Sequence, residues 1–104
     1  MKFISAENAK LQLAEGRCVI LDVREAYEQQ ICSITSLQIP MAEVSKRVTE
    51  LPTDVLIVVM CKTGKRAEAV ANLLLTEFEI SNICVLEGGI FAWIDTNEPH
   101  LEKY

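Results

Sequence analysis

The chain is poor in histidine, in cations and in long apolar runs. A single histidine stands among 104 residues. It cannot complete a Cys/His zinc cluster at familiar spacing, and Cys18, Cys32, Cys61 and Cys84 form no Cys-x-x-Cys pair, so no metal site is expected. Ten Lys and Arg face fifteen Asp and Glu, a net charge of −5, which argues against nonspecific nucleic-acid binding. No apolar run reaches the roughly 18 residues of a membrane helix. Met1-Lys-Phe-Ile-Ser-Ala-Glu7 lacks the apolar core of a secretory leader, so the expected location is the cytoplasm. Free thiols then follow in place of disulfides. Linkers, repeats and low-complexity stretches are also missing, and the length suits one domain, residues 1–104, with one core.

What is present is an alternation of short apolar runs and helical patterns. Residues 2–4 read as an edge strand. Ser5 suits the N-cap of a helix over Ala6–Glu15, with Gly16 as its stop. Cys18–Val23 is a continuous apolar strand, and Cys18 reads as packing. Ala26–Gln30 is a short helical turn. Met41–Leu51 carries Val44, Val48 and Leu51 on one side and is expected to be a helix ended by Pro52. Val55–Met60 is β-branched and uninterrupted, as in a strand buried on both faces of a parallel sheet. Ala67–Phe78 has Val70, Leu73, Leu74 and Phe78 at helical spacing. Ile83–Leu86 is a further buried strand, with Cys84 as packing. Gly88-Gly89 makes a tight turn into a helix over Ile90–Asp95, which Phe91 and Trp93 fix on the sheet. The predicted fold is α/β, an open and mainly parallel sheet with helices on both faces.

The chemistry concentrates at Cys61-Lys62-Thr63-Gly64-Lys65-Arg66. Cys61 ends a central strand and precedes a helix N-terminus, the place where open α/β sheets hold ligands and where amides and the helix dipole favour an anion. A free thiol titrates at about 8.5, so a neutral-pH nucleophile needs help. Lys62, Lys65 and Arg66 supply positive charge. Gly64 permits positive φ, which lets successive N–H groups curl inward as a nest. The expectation is a nucleophilic Cys61 with an anion-holding loop. The competing reading of Cys61 is a buried cysteine that only packs.

This loop resembles the active-site loop of the rhodanese-like sulfurtransferase family, a cysteine followed by four residues and an arginine. Leu21-Asp22-Val23-Arg24-Glu25 resembles the family's Asp-x-Arg strand end. Ile39-Pro40 resembles its Ile-Pro turn, and Leu86-Glu87-Gly88-Gly89-Ile90-Phe91-Ala92-Trp93 its closing Gly-Gly…Trp motif. The four motifs span nearly the whole chain in the family's order. One stretch departs from it. Cys32 and Ser33 stand where the family carries Gly-His, and the segment before Pro40 is about one residue shorter, so the local backbone must differ.

The resemblance implies a single-domain sulfurtransferase needing no cofactor. Cys61 would take a sulfane sulfur from thiosulfate or a persulfide donor, and a thiol, cyanide or a sulfur-carrier protein would accept it. Residues 62–66 would bind the anion. Asp22 and Arg24 would lie near the pocket and brace its loops, whereas from sequence alone they read as a surface ion pair. Two other readings share the cradle: a non-enzymatic persulfide carrier that docks on a sulfur-using partner, and a phosphatase or arsenate reductase. Related phosphatases have a longer gap between cysteine and arginine, which favours sulfur here. Cys32 reads either as packing beneath a loop or as a thiol that resolves a persulfide on Cys61.

Overall fold

The computed structural model describes residues 1–104. Four strands, β1 (Phe3–Ile4), β2 (Cys18–Asp22), β3 (Leu56–Met60) and β4 (Ile83–Leu86), form one sheet in the order β1-β4-β3-β2. Every pairing is parallel. The connections carry α1 (Ala6–Ala14), α2 (Ala26–Ile31) and α3 (Lys65–Glu77), and α4 (Gly89–Asn97) follows β4. Parallel neighbours require such crossovers.

The alternation of side chains along β3 divides the core in two. Ile57, Val59 and Cys61 face Ala67, Val70, Ala71 and Leu74 of α3, together with Val44. Val58 and Met60 face Ala6 and Ala9 of α1 and Ile90, Trp93 and Ile94 of α4. Residues 57–60 are fully buried, which explains why the central strand is apolar on both sides. No helix is long and apolar enough to cross a membrane.

The expected elements are present, with one correction. Met41–Leu51 is not an α-helix but two 3-10 segments, Met41–Lys46 and Val48–Glu50, parted at Arg47 (φ −124°, ψ 21°). Val44, Val48 and Thr49 are β-branched and lose χ1 freedom in a helix. Only Val44 and Leu51 of the segment are buried, so an apolar stripe is not there to hold a continuous helix. The expected helix at Ala67 also starts earlier, at Lys65, with Gly64 at φ 125° before it.

The departing segment is held by bonds that do not need Gly-His. Thr35 Oγ1 donates to the Ile20 carbonyl at 2.9 Å and accepts from Leu37 N at 3.2 Å. Asp22 N donates to the Leu37 carbonyl and Ile39 N to that of Asp22, so residues 37–39 run beside the end of β2. Met41 N then donates to Val23 O at 3.0 Å. This places the carboxyl end of β2 against the carboxyl end of β3, since Asp22 is in register with Met60.

Candidate active site

Cys61 follows β3 directly and is 1% exposed. Its Sγ accepts a backbone N–H from Gly64 at 3.1 Å and from Ala67 at 3.4 Å. The first amides of α3 have no carbonyl one turn earlier to bond, so they are free to face the sulfur. A thiolate, or a charged sulfur attached to it, is the group such amides favour.

A second helix shapes the loop from behind. Ile90 N, in the first turn of α4, donates to Cys61 O at 2.8 Å, and Phe91 N donates to Lys62 O at 3.3 Å. These bonds draw the loop's carbonyls toward α4. The approach is so close that a Cβ on Gly89 would lie 2.6 Å from Cys61 O. Gly89 itself sits at φ 63° and Gly88 at φ 75°. The glycine pair thus does more than turn the chain; it lets a helix N-terminus seat against the Cys61 loop.

The three loop cations have different fates. Lys65 and Thr63 are exposed. Lys62 Nζ lies over two aromatic rings, 5.4 Å from the Phe91 centroid and 5.0 Å from that of Tyr104. Arg66 forms a fork with Glu28, at 2.6 and 2.8 Å. That fork holds the Glu28 carboxyl low, at about 2, against the opposing effect of its burial. The same fork raises Arg66 further above its ordinary value.

Asp22 and Arg24 are not a surface pair. Both are fully buried, and Arg24 Nη2 meets Asp22 Oδ2 at 2.8 Å. The arginine also donates to the carbonyls of Glu28 (3.3 Å) and Cys32 (2.8 Å) and to Tyr104 Oη (3.0 Å). Burial works against its charge, but the bonds with Asp22 and Tyr104 outweigh this and push the guanidinium up. No buried side-chain N or O atom is left without a partner. Asp22 and Arg24 therefore fasten the end of β2 to α2 and to the turn at Cys32.

Two residues of this network carry no motif and are missed by sequence reasoning. Glu28 lies 38 residues before Arg66, and only the fold brings them together. Its one sequence signal is a carboxylate at the third position of a short helix, where its side chain accepts from Glu25 N at 2.9 Å in a capping box. Tyr104 donates from its hydroxyl to Glu28 Oε1 at 2.8 Å. Burial, with the neighbouring carboxylate adding to it, pushes this hydroxyl up to about 12.

Cys32 is not brought to Cys61. It packs in the cluster on the α1–α4 side of the sheet, beside Arg24 Nη1 at 3.9 Å, whereas Cys61 belongs to the opposite cluster. All four cysteines are free and buried. Burial pushes the Cys84 thiol up to about 11 and the Cys18 thiol up as well, as for cysteines that pack. No group of three or more His, Cys, Asp or Glu side chains is arranged to hold a metal ion.

Comparison with known proteins identifies the family and the fold. The model of the rhodanese-like domain matches residues 5–96. The probable adenylyltransferase/sulfurtransferase MoeZ of Mycobacterium tuberculosis is 36% identical over 97 residues, which cover 88% of this chain and 24% of that protein. The chain spans about a quarter or less of the length of these curated relatives. Among solved structures, the rhodanese-related protein from Thermoplasma volcanium has a TM-score of 0.83 at 31% identity, covering 95% of this chain and 96% of that one. The rhodanese-like domain protein from Staphylococcus aureus has a TM-score of 0.81 at 27% identity, covering 100% and 99%. With its motifs, its parallel sheet and a match over residues 5–96, the chain belongs to the family of rhodanese-like domains.

Proposed function

We propose that the protein is a sulfurtransferase that carries sulfur as a persulfide on Cys61. The observation that supports this most is the pair of backbone amides, Gly64 N and Ala67 N, aimed at a sulfur at the mouth of β3. Relatives named as sulfurtransferases match 75% and 88% of the chain. The Cys61 thiolate attacks the outer sulfur of thiosulfate; an S–S bond forms on Cys61, the donor's S–S bond breaks, and sulfite leaves with the electron pair. Cyanide or a thiol then attacks the outer sulfur of the persulfide and returns the Cys61 thiolate. Two half-reactions through one covalent intermediate give ping-pong kinetics. Amides of residues 64–67 stabilise the anionic sulfur. Arg66, held by Glu28, braces the loop, and Lys62 and Lys65 add positive potential for an anionic donor. No cofactor takes part.

A persulfide carrier that hands sulfur to a partner protein uses the same Cys61 chemistry. One observation favours it: both cavities of the molecule are lined by residues away from Cys61, and Cys61 is 1% exposed. Phosphate chemistry is disfavoured by the four-residue gap and by Arg66, whose fork is already occupied by Glu28. The test is thiocyanate release from thiosulfate and cyanide. Wild-type protein is expected to turn over, and Cys61→Ser to lose at least about a thousandfold in rate. A carrier would accept sulfur from a persulfide donor without this turnover. Equal release by both proteins would refute Cys61 as the sulfur-bearing group, and hydrolysis of para-nitrophenyl phosphate would restore the phosphatase reading.

A further inference from the structure

Tyr104 lies outside the stretch matched by the family, residues 5–96, yet it contacts Arg24, Glu28, Lys62 and Phe91 around the Cys61 site. Its hydroxyl donates to Glu28 Oε1 at 2.8 Å and accepts from Arg24 Nη1 at 3.0 Å. Its ring lies 5.0 Å from Lys62 Nζ and 5.7 Å from Arg24 Cζ, and meets Phe91 edge-on at 5.7 Å and 83°. The segment around it is tied down as well, since Leu101 N donates to Glu98 O at 3.0 Å and Lys103 pairs with Asp95 of α4. One side chain thus bridges the end of β2, helix α2, the Cys61 loop and helix α4.

Two of the loop's three cations depend on that bridge. Lys62 has no carboxylate partner, and its ammonium is placed only by the Phe91 and Tyr104 rings. Arg66 is placed by Glu28, whose Oε1 is shared between Arg66 Nη2 and the Tyr104 hydroxyl. Without Tyr104, Lys62 gains rotamer freedom and Glu28 loses one of the bonds that aim it. A cation that wanders into water contributes little at Cys61, because charge separated by solvent is screened.

We infer that Tyr104 is a positioning residue that sets the anion selectivity of Cys61, acting through Lys62 and through the Glu28–Arg66 pair. It favours an anionic reagent over a neutral one of the same size. The inference extends the reading of Cys61 as a sulfur-accepting nucleophile, but it concerns the field at the thiolate and stands or falls without sulfur transfer.

The test therefore uses alkylation. Iodoacetate and iodoacetamide differ by one charge; in each case the Cys61 thiolate displaces iodide and a thioether forms. Rates are read by mass on the peptide containing Cys61, in full-length folded protein, and expressed as the iodoacetate-to-iodoacetamide ratio. Thiolate fraction and access cancel in that ratio. Tyr104→Leu is expected to lower it about fivefold, and Tyr104→Phe, which keeps the ring over Lys62, about twofold. High salt should shrink the wild-type ratio toward that of the Leu variant. If both rates rise together at constant ratio, Tyr104 is only a cover over the site and the inference is overturned. An unchanged ratio in both variants overturns it too. Should Tyr104→Leu not fold, the Phe variant decides alone, and an unchanged ratio there is the contrary result. Failure of sulfur transfer is read separately, as absence of a sulfur adduct on wild-type Cys61.

Discussion

The two ends of the sheet make an instructive contrast. At the amino end of β2 and β3 lies the larger cavity, about 510 Å³, lined by Gly16, Arg17, Thr53, Asp54, Val55, Leu56 and Asn82. Arg17 there pairs only with Glu15, both largely exposed, at 3.7 Å. At the carboxyl end there is no comparable hollow, but two amides meet the Cys61 sulfur, and one buried and one half-buried arginine–carboxylate pair and two aromatic rings gather at the same rim. The difference is one of backbone polarity. Parallel strands point all their carboxyl ends one way, so helix N-termini and loops gather there. On the function proposed above, converging donors rather than empty volume mark the site.

The contrast gives an order of effects. The largest is expected where the backbone itself is squeezed. Gly89→Ala would set a Cβ 2.6 Å from Cys61 O and force a positive φ on alanine, at a cost of about 3 kcal/mol. Urea unfolding should show it, together with loss of sulfur loading because α4 is pushed off the loop.

Next is the Glu28–Arg66 pair. Glu28→Gln leaves Arg66 without its counter-charge, and because Arg66 is 34% exposed at its side chain the cost is set at about 2 kcal/mol. The pair also has a pH signature. Glu28 titrates at about 2 in the folded protein against 4.5 ordinarily, so the folded state binds fewer protons in between. Its contribution is whole above about pH 4.5 and is lost as pH falls toward 2. Wild-type stability should fall through that window, and Glu28→Gln should flatten this part of the fall. A wild-type profile no steeper than that of the variant would contradict the ion pair.

The smallest effect belongs to the amino end. Arg17→Ala and Asp54→Asn, in the larger cavity, should leave sulfur loading within about twofold of wild type. A loss tenfold or greater would mean that the cavity, not the Cys61 rim, handles substrate.

Sequence reasoning reached what depends on local pattern. The apolar run before Cys61, the helix after it and the glycine between them are read from neighbours in the chain, and the fold follows from their alternation. It failed where tertiary contact overrides local preference or joins distant residues. Met41–Leu51 has the spacing of a helix but buries too little to sustain one. The surface reading of Asp22 and Arg24 failed because nothing nearby announces that α2, Cys32 and Tyr104 will close over them. Glu28 and Tyr104 carry no signal of their partners for the same reason, since Glu28 meets Arg66 across 38 residues and Tyr104 meets Arg24 across 80. Gly88-Gly89 was legible as a turn, but its close seat against Cys61 and Lys62 needed the packing of α4.

The most direct measurement is the intact mass of the protein after mixing with thiosulfate or a persulfide donor, beside Cys61→Ser. The expected result is a gain of about 32 Da, one sulfur atom, reversed by cyanide or dithiothreitol and absent in the variant. No gain with either donor, or an equal gain in Cys61→Ser, would contradict a persulfide on Cys61.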